Sequence, residues 1–439
     1  MQTGFSQNET QSVKRIFEYM KNFIDHLCKR VLCVSPGRMI SHEEHFEKMM
    51  SRKRLSKSML ALRFCTTIAI CIGVFAINTQ DSIAQTTDPL NCSAGYQIVE
   101  TFANGAKWEM CWEPRIGYGY RLNQVIYTPP NRTRRLILNT LHLAQLFVPY
   151  DDGTGRWHDI GAGRNLTTLN ADECPGGVLL TNSTLCLVRR PLGYAFKNEN
   201  GSSANAEGFT LFGYIHIGTY YYIIQYGFND DGSFEPALGA SGALQLYGGD
   251  TSTGWPIGNT VGMNHNHLAI WRLDFDIDGA ENDRVEQIEF GQNGDARNMT
   301  ITALTTETKT RNDLSRLRFW RVRDTVKSNS DGHNVSYEIE PNVTTEYRTD
   351  ETFTQNDFYV TQQKQSETVV DDGAGLDAFV NGETVSDVVV WYGVNFHHVP
   401  REEDEVRMPV HWQGFVARPR DLEANLIALS RMFMPIVMR

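Results

Sequence analysis

The sequence predicts an all-β protein built as one large β-sandwich, and three observations carry that prediction. Helical periodicity is nearly absent from residues 86–439. Short β-branched and aromatic runs recur there instead, each bounded by Gly, Asn, Asp or Pro. Turn dipeptides, among them Asp231-Gly232, Asp278-Gly279 and Asn381-Gly382, punctuate the runs at hairpin-like spacing. With no internal repeat and no low-complexity linker, a single two-sheet sandwich is the simplest home for so many strands.

Taken in order, the strongest strand signals are TLFGYIHIGTYYYIIQYGF before NDDGSF, then NHLAIWRLDFDIDG, then DVVVWYGVNF. A Thr-, Asn- and Asp-rich stretch over about 291–375 alternates weakly and reads as containing long surface loops. Only Asp421–Met432 has a helical pattern. The chain has 439 residues, 41% hydrophobic and 11% aromatic, enough for a large core. Its formal charge of -11 argues against a nucleic-acid binder, which needs a basic surface to displace counterions from phosphate.

That charge is unevenly spread. Residues 1–85 carry 12 Lys/Arg against 7 Asp/Glu, whereas residues 86–439 carry 29 against 45. The basic part contains an apolar run, Phe64–Ile77, preceded by Arg52, Lys53, Arg54, Lys57 and Arg63 and followed by the small-x-small site Ser82-Ile83-Ala84. Such an order describes a secretory signal over 50–84, with 1–49 as an extension not carried by the mature protein. The alternative is a type II signal anchor, Met59–Ile77 spanning the bilayer with Arg63 snorkelling. Both place residues 86–439 outside the cytosol, secreted, periplasmic or extracellular in the first case and on the outer side of a membrane in the second.

Cysteine usage fits that compartment. Four of the eight cysteines, Cys92, Cys111, Cys174 and Cys186, fall in the exported part. The sequence-local pairing is Cys92–Cys111 with Cys174–Cys186, four buried thiols being the alternative. In residues 86–439 eight N-x-S/T sequons, at Asn91, Asn131, Asn165, Asn182, Asn200, Asn298, Asn334 and Asn342, offer glycosylation sites.

The chemistry begins at Asn264-His265-Asn266-His267. Histidines two apart on a strand share a face, so both imidazoles can reach one metal. A third imidazole, His398, follows the apolar strand DVVVWYGV. Three imidazoles without thiolate suit Cu(II) or Zn(II) better than Ca or Mg. Such pairs on strands are also common as plain surface or core residues.

Seven collinear blocks then resemble the catalytic domain of the copper-containing, topaquinone amine oxidases: LAQLFVPYDDG, RWHDIG, ECPGG, YIHIGTYYYIIQYGFNDDGSFE, SGAL, NHNHLAIWRLDFDIDG and HHVPREEDEVRMPV. The resemblance runs from about Gln97 to Phe415. It implies a large β-sandwich, homodimers, and copper held by His265, His267 and His398. It implies that Tyr220 is the topaquinone precursor within a T-x-x-N-Y-D/E-Y pattern that ends at Tyr222. Here the chain departs from the family: His216 stands for the Thr, Thr219 for the Asn and Tyr221 for the acid. The HEED-like run is missing as well, Leu187–Pro191 reading LVRRP. The resemblance further implies Asp159 as the base that takes the α-proton of the substrate, and Tyr150 as the partner of the quinone oxygen. A peripheral calcium site is implied at Asp274, Asp276 and Asp387, with the carbonyls of Phe275 and Val388. Hard carboxylates and carbonyls are the ligands that ion prefers.

The function so implied is oxidation of a small primary amine by O2 to aldehyde, ammonia and hydrogen peroxide. The altered tyrosine motif keeps a second reading open, a non-catalytic copper-binding module that is secreted or anchored. No Walker A, G-x-S-x-G, GxGxxG or HExxH motif is present, so nucleotide-binding, serine-hydrolase and metalloprotease functions lack support.

Overall fold

The computed structural model describes residues 89–160, 165–341, 344–370 and 375–423. The 1–49 extension, the export signal over 50–84, the 59–77 stretch and Asn342 lie outside the described residues. So does the 421–432 helix beyond a short bend at 421–423. Among the described residues no helix is long and apolar enough to cross a membrane.

Two large antiparallel sheets make the sandwich. Along the first sheet run Gln97–Thr101, Lys107–Arg115, Gly119–Thr128, Arg135–Pro149, His265–Phe275, Val388–His398, Phe358–Gln362 and Thr308–Thr310, with Arg156–His158 paired to Arg135–Pro149. The second sheet begins with Ala296–Leu304, Asp283–Asn293, Phe319–Ser328, Asn334–Pro341 and Met408–Arg420. It continues through Phe234–Gly242, Tyr220–Asn229, Ser203–Ile217, Cys186–Lys197 and Val178–Leu179. A small ribbon, Gly254–Ile257 with Thr260–Met263, leads into the first histidine. The remaining regular elements among the described residues are short 3-10 turns, as the lack of helical periodicity requires.

Period-two alternation explains the layering. On His265–Phe275 the odd residues Ala269, Trp271, Leu273 and Phe275 enter the inter-sheet core. The even residues Leu268 and Ile270 join Ala144, Phe147, Tyr359 and Trp391 on the outer face. That face is covered by Phe353, Val370, Leu376 and Phe379 from the two long connections that flank Phe358–Gln362. All eleven residues of His265–Phe275 are buried, because the strand is central and covered on both sides. Fully buried rings such as Trp108, Trp271, Trp320 and Tyr226 stabilise the sandwich by about 1.5–3 kcal/mol each through apolar burial.

Several local expectations are corrected. The run from Thr210 to Phe228 is two strands, not one: Ile217 pairs with Tyr220 across a two-residue turn of Gly218 and Thr219. Gly218 at φ +61° takes the first turn position, which disfavours a Cβ. Asp231-Gly232 does close a hairpin, between Tyr220–Asn229 and Phe234–Gly242. Asp278-Gly279 does not, since the strands on either side of it belong to different sheets. Asn381-Gly382 lies in the long connection before Val388. The 291–375 stretch contains loops as expected, yet six strands also fall wholly or partly within it. Both expected disulfides form, Cys92–Cys111 and Cys174–Cys186, with Cα separations of 5.3 and 5.6 Å.

Candidate functional site

His265 and His398 are 133 residues apart and meet as direct cross-strand partners in the first sheet. His267 projects from the same face two residues on, and ligand atoms of all three lie within 4.8 Å of one another. All three side chains are buried. Burial pushes His265 down to about 3 and His267 well below its ordinary range, the neighbouring imidazoles adding to both shifts. For His398 burial lowers the value to about 4 against the pull of Asp404. Neutral imidazoles are the form that binds metal.

Hydrogen bonds fix which nitrogen of each ring is available. His265 Nδ1 lies 2.9 Å from the Met263 carbonyl, so it donates and leaves Nε2 with a lone pair. His398 Nε2 donates to Asp404 Oδ2 at 3.0 Å, leaving Nδ1 with a lone pair. These two lone-pair nitrogens face each other at 3.2 Å. Two acceptors so placed repel unless a cation lies between them, and two metal–imidazole bonds of about 2.0–2.1 Å span that gap. His267 Nε2 is buried without a hydrogen-bond partner among the described residues. The three rings therefore fit a resident metal ion.

Asp404 is a residue that reading the sequence missed. Its buried carboxylate accepts from the Arg401 backbone N–H at 2.8 Å, from Arg401 Nη2 at 2.9 Å and from His398. It is the carboxylate partner that orients a ligating histidine. Its position six residues after His398 is the signal that would have found it.

The tyrosines line the other side. Tyr220 Oη lies 2.9 Å from His265 Nε2, so its hydroxyl reaches the same lone pair that the metal would use. Tyr222 Oη lies 3.4 Å from His267 Nδ1. Tyr150 stacks on His265 with ring centroids 4.7 Å apart. Burial raises the phenols of Tyr150, Tyr220 and Tyr222, so all three are protonated in the absence of metal. Asp159 is half-buried and hydrogen-bonds to the Tyr222 side chain, its charge also acting on Tyr150. The turn between Tyr150 and Asp159 is tight: a Cβ on Gly155 would fall 2.8 Å from the Tyr150 ring and 3.1 Å from Trp157 Nε1. Trp157, two residues before Asp159, is half-exposed, and the sequence reading passed it over.

The altered motif residues lie elsewhere. Tyr221 is exposed and stacks on His216 at 4.3 Å on the outer face of the second sheet. Thr219 sits in the turn, its hydroxyl donating to the Ala243 carbonyl. Neither side chain is among the groups that surround the histidines.

On the opposite face of the same strand, Asp274, Asp276 and Asp387 converge within 4.8 Å. Each keeps one buried oxygen without a partner among the described residues. Burial and mutual repulsion push Asp276 up to about 7 and Asp387 up to about 6. Burial also raises Asp274, with Arg272 opposing from 3.3 Å. Phe275 and Val388 are cross-strand partners; Phe275 lies between Asp274 and Asp276 in the chain, and Val388 directly follows Asp387.

Residues 194–429 match the family described as copper amine oxidase, enzyme domain. The chain belongs to the copper amine oxidase family. Over 423 residues it is 25% identical to the copper-containing amine oxidase alpha 2, peroxisomal, of Arabidopsis thaliana, covering 77% of this chain and 61% of that protein. Against the primary amine oxidase of Lens culinaris it is 24% identical over 400 residues, covering 74% and 59%. Among solved structures, the copper-containing benzylamine oxidase of Hansenula polymorpha superposes with a TM-score of 0.61 at 18% identity, covering 78% of this chain and 64% of that one. This last likeness bears on the fold, which is the expected β-sandwich. The chain spans about six tenths of the length of these curated relatives.

Proposed function

We propose that this chain is a copper-dependent amine oxidase domain that converts a primary amine, O2 and water to an aldehyde, ammonia and hydrogen peroxide. His265, His267 and His398 hold the copper, and Tyr220 is the topaquinone precursor. The observation that carries this reading is the 2.9 Å contact between Tyr220 Oη and His265 Nε2 inside a buried three-histidine cluster. Bound copper and the quinone supply the redox chemistry that side chains lack. The chain's own residues do the rest. Asp404 holds His398 in the tautomer that presents Nδ1. Asp159, beside Tyr222 and Tyr150, is the carboxylate we assign to take the proton from the amine-bearing carbon. Tyr150 and Tyr222 pack against His265 and Tyr220, holding the Tyr220 ring in place and keeping bulk water from it.

The non-catalytic reading rests on the substitutions at 216, 219 and 221, and the outward position of Tyr221 and the turn position of Thr219 weaken it. Adding Cu(II) and air to metal-free protein separates the two readings. Catalysis requires a visible quinone absorbance and a mass gain confined to the Tyr220 peptide, lost in Tyr220→Phe with copper retained. Copper bound beside an unmodified Tyr220 establishes the binding module instead.

We further propose that the Asp274, Asp276 and Asp387 cluster, with the Phe275 and Val388 carbonyls, takes calcium; the three partnerless oxygens support this. Two disulfides support an extracytosolic location, since such bonds persist in oxidising compartments. The protruding edge strand Ala296–Leu304, with Met299 and Ile301 exposed, supports a homodimer.

A further inference from the structure

The outer face of the first sheet holds a cavity of about 520 Å3, on the side of the His265–Phe275 strand turned away from the histidines. That volume lies in the range of small-molecule sites. Three guanidiniums line it, those of Arg115, Arg121 and Arg272, together with the side chains of Asn139 and Gln363. The one carboxylate on its wall is Asp274. Three like charges around one small cavity repel unless they are compensated, and two of them, Arg115 and Arg121, share a single carboxylate.

Arg115 and Arg121 both turn to the same atom, Oε1 of Glu113. Arg115 reaches it through Nε at 3.0 Å and Nη2 at 2.6 Å, and Arg121 through Nε at 2.9 Å. Two cations thus share one carboxylate, and Nη1 of each makes no hydrogen bond among the described residues. Arg272 is held rigidly, its side chain only 3% exposed. Its Nε donates to the Glu367 carbonyl at 3.0 Å, and its Nη1 to Thr140 Oγ1 at 2.9 Å and Asp274 Oδ2 at 3.3 Å. No hydrogen bond of its Nη2 occurs among the described residues, and that atom is not among those sealed from solvent. The carboxylates that compensate Arg272 are Asp274 and, from behind the wall, Asp387, with Glu367 nearby. Asp274 and Asp387 are also two members of the acidic triad, so a cation there competes with Arg272 for their charge.

We propose that this cavity binds a small phosphate oxyanion between Arg115, Arg121 and Arg272, and that a divalent cation on the Asp274 triad tightens that binding. Guanidinium forks match the oxygens of phosphate, and their fixed partners leave them little freedom to lose. Linkage makes the effect reciprocal: whatever factor the cation adds to anion affinity, the anion adds to cation affinity. The clause about the cation rests on the calcium reading above, whereas the anion site stands without it.

Inorganic phosphate and glycerol 3-phosphate, titrated into the full chain at low ionic strength and followed by 31P line broadening and calorimetry, test the proposal. Each titration is run with chelator and with calcium kept below the solubility limit of its phosphate. Saturable binding is expected, weakened at least tenfold in Arg115→Gln and in Arg121→Gln. Both substitutions fall on partly exposed side chains, and unchanged melting curves confirm intact folding. Tighter binding of the ester identifies an organic phosphate as the occupant, and tighter binding of the free ion identifies phosphate itself. Absence of saturable binding in both media, or affinity unchanged in the Arg115→Gln, Arg121→Gln double variant, overturns the site. Affinity unaltered by calcium overturns the coupling alone and leaves the anion site standing.

Discussion

Replacing Asp404 by Asn tests the proposed copper centre without touching any of its three proposed ligands. The carboxylate is fully buried and accepts from His398 Nε2 at 3.0 Å, from the Arg401 backbone N–H at 2.8 Å and from Arg401 Nη2 at 2.9 Å. An amide of the same shape has one acceptor where the carboxylate has two. With its oxygen toward His398, its NH2 group meets Arg401 Nη2 donor to donor. With its oxygen toward Nη2, its NH2 group meets His398 Nε2, forcing the imidazole proton onto Nδ1 and removing the lone pair that faces His265. Either arrangement forfeits a charge-assisted hydrogen bond worth about 1.5–3 kcal/mol. Loss of such an orienting partner reduces metal affinity by about 10–100-fold, or about 1.4–2.7 kcal/mol. Competition for Cu(II) against a chelator of known affinity measures this directly, and the Cu(II) electron paramagnetic resonance spectrum reports the changed ligand field. Glu403→Gln, an exposed neighbour, serves as the control and should leave both unchanged. Copper affinity within about twofold of wild type in Asp404→Asn would refute the assigned tautomer, and with it the orientation of the third ligand.

Three further outcomes are expected. Burial pushes Asp283 up to about 9, from an ordinary value near about 3.9, and its Oδ2 accepts the Ile277 N–H. The native state then binds the extra proton, so its stabilising effect is complete below about pH 4 and is lost as pH rises through about 9. Asp283→Asn, neutral throughout and still an acceptor, should flatten that decline in thermal melts of metal-free protein; parallel curves for the two proteins would count against it. Gly242 has φ +116°, and a Cβ there would run into the Thr219 carbonyl and lie 3.0 Å from Tyr220 Cα. Gly242→Ala should therefore cost about 1–3 kcal/mol in denaturant melts and depress quinone formation by shifting Tyr220, and a variant with wild-type quinone yield would sink this link. Tyr221→Glu, which restores an acid to an outward-facing position, should leave the Tyr220 mass gain unchanged; a marked rise would show that residue 221 acts on the site after all.

The sequence by itself determined the fold class and which candidate ligands share a strand face, because both depend on local periodicity. Alternation puts His265 and His267 on one face of a strand and Asp274 and Asp276 on the other, whatever packs against it. It likewise sends Tyr221 away from Tyr220 and Tyr222, so the substitution that looks most damaging in the motif lies on the outer surface. Four cysteines in residues 86–439, close in sequence two by two, were enough for the correct local pairing. Other features depend on long-range register, which no local pattern encodes. Only the sheet shows that His398 faces His265 across 133 residues, and only the packing behind it brings Asp404 onto the remaining nitrogen of His398. Gly218 and Thr219 looked like part of one apolar run because a two-residue turn barely interrupts alternation. Asp278-Gly279 has the composition of a hairpin turn, yet each flanking strand finds its partners in a different sheet. The three arginines of the outer cavity come from three different strands, and the sharing of Glu113 by Arg115 and Arg121 exists only once two of those strands are side by side. Side-chain direction is written in the chain two residues at a time, whereas which strands meet is settled by burying all of their apolar faces at once.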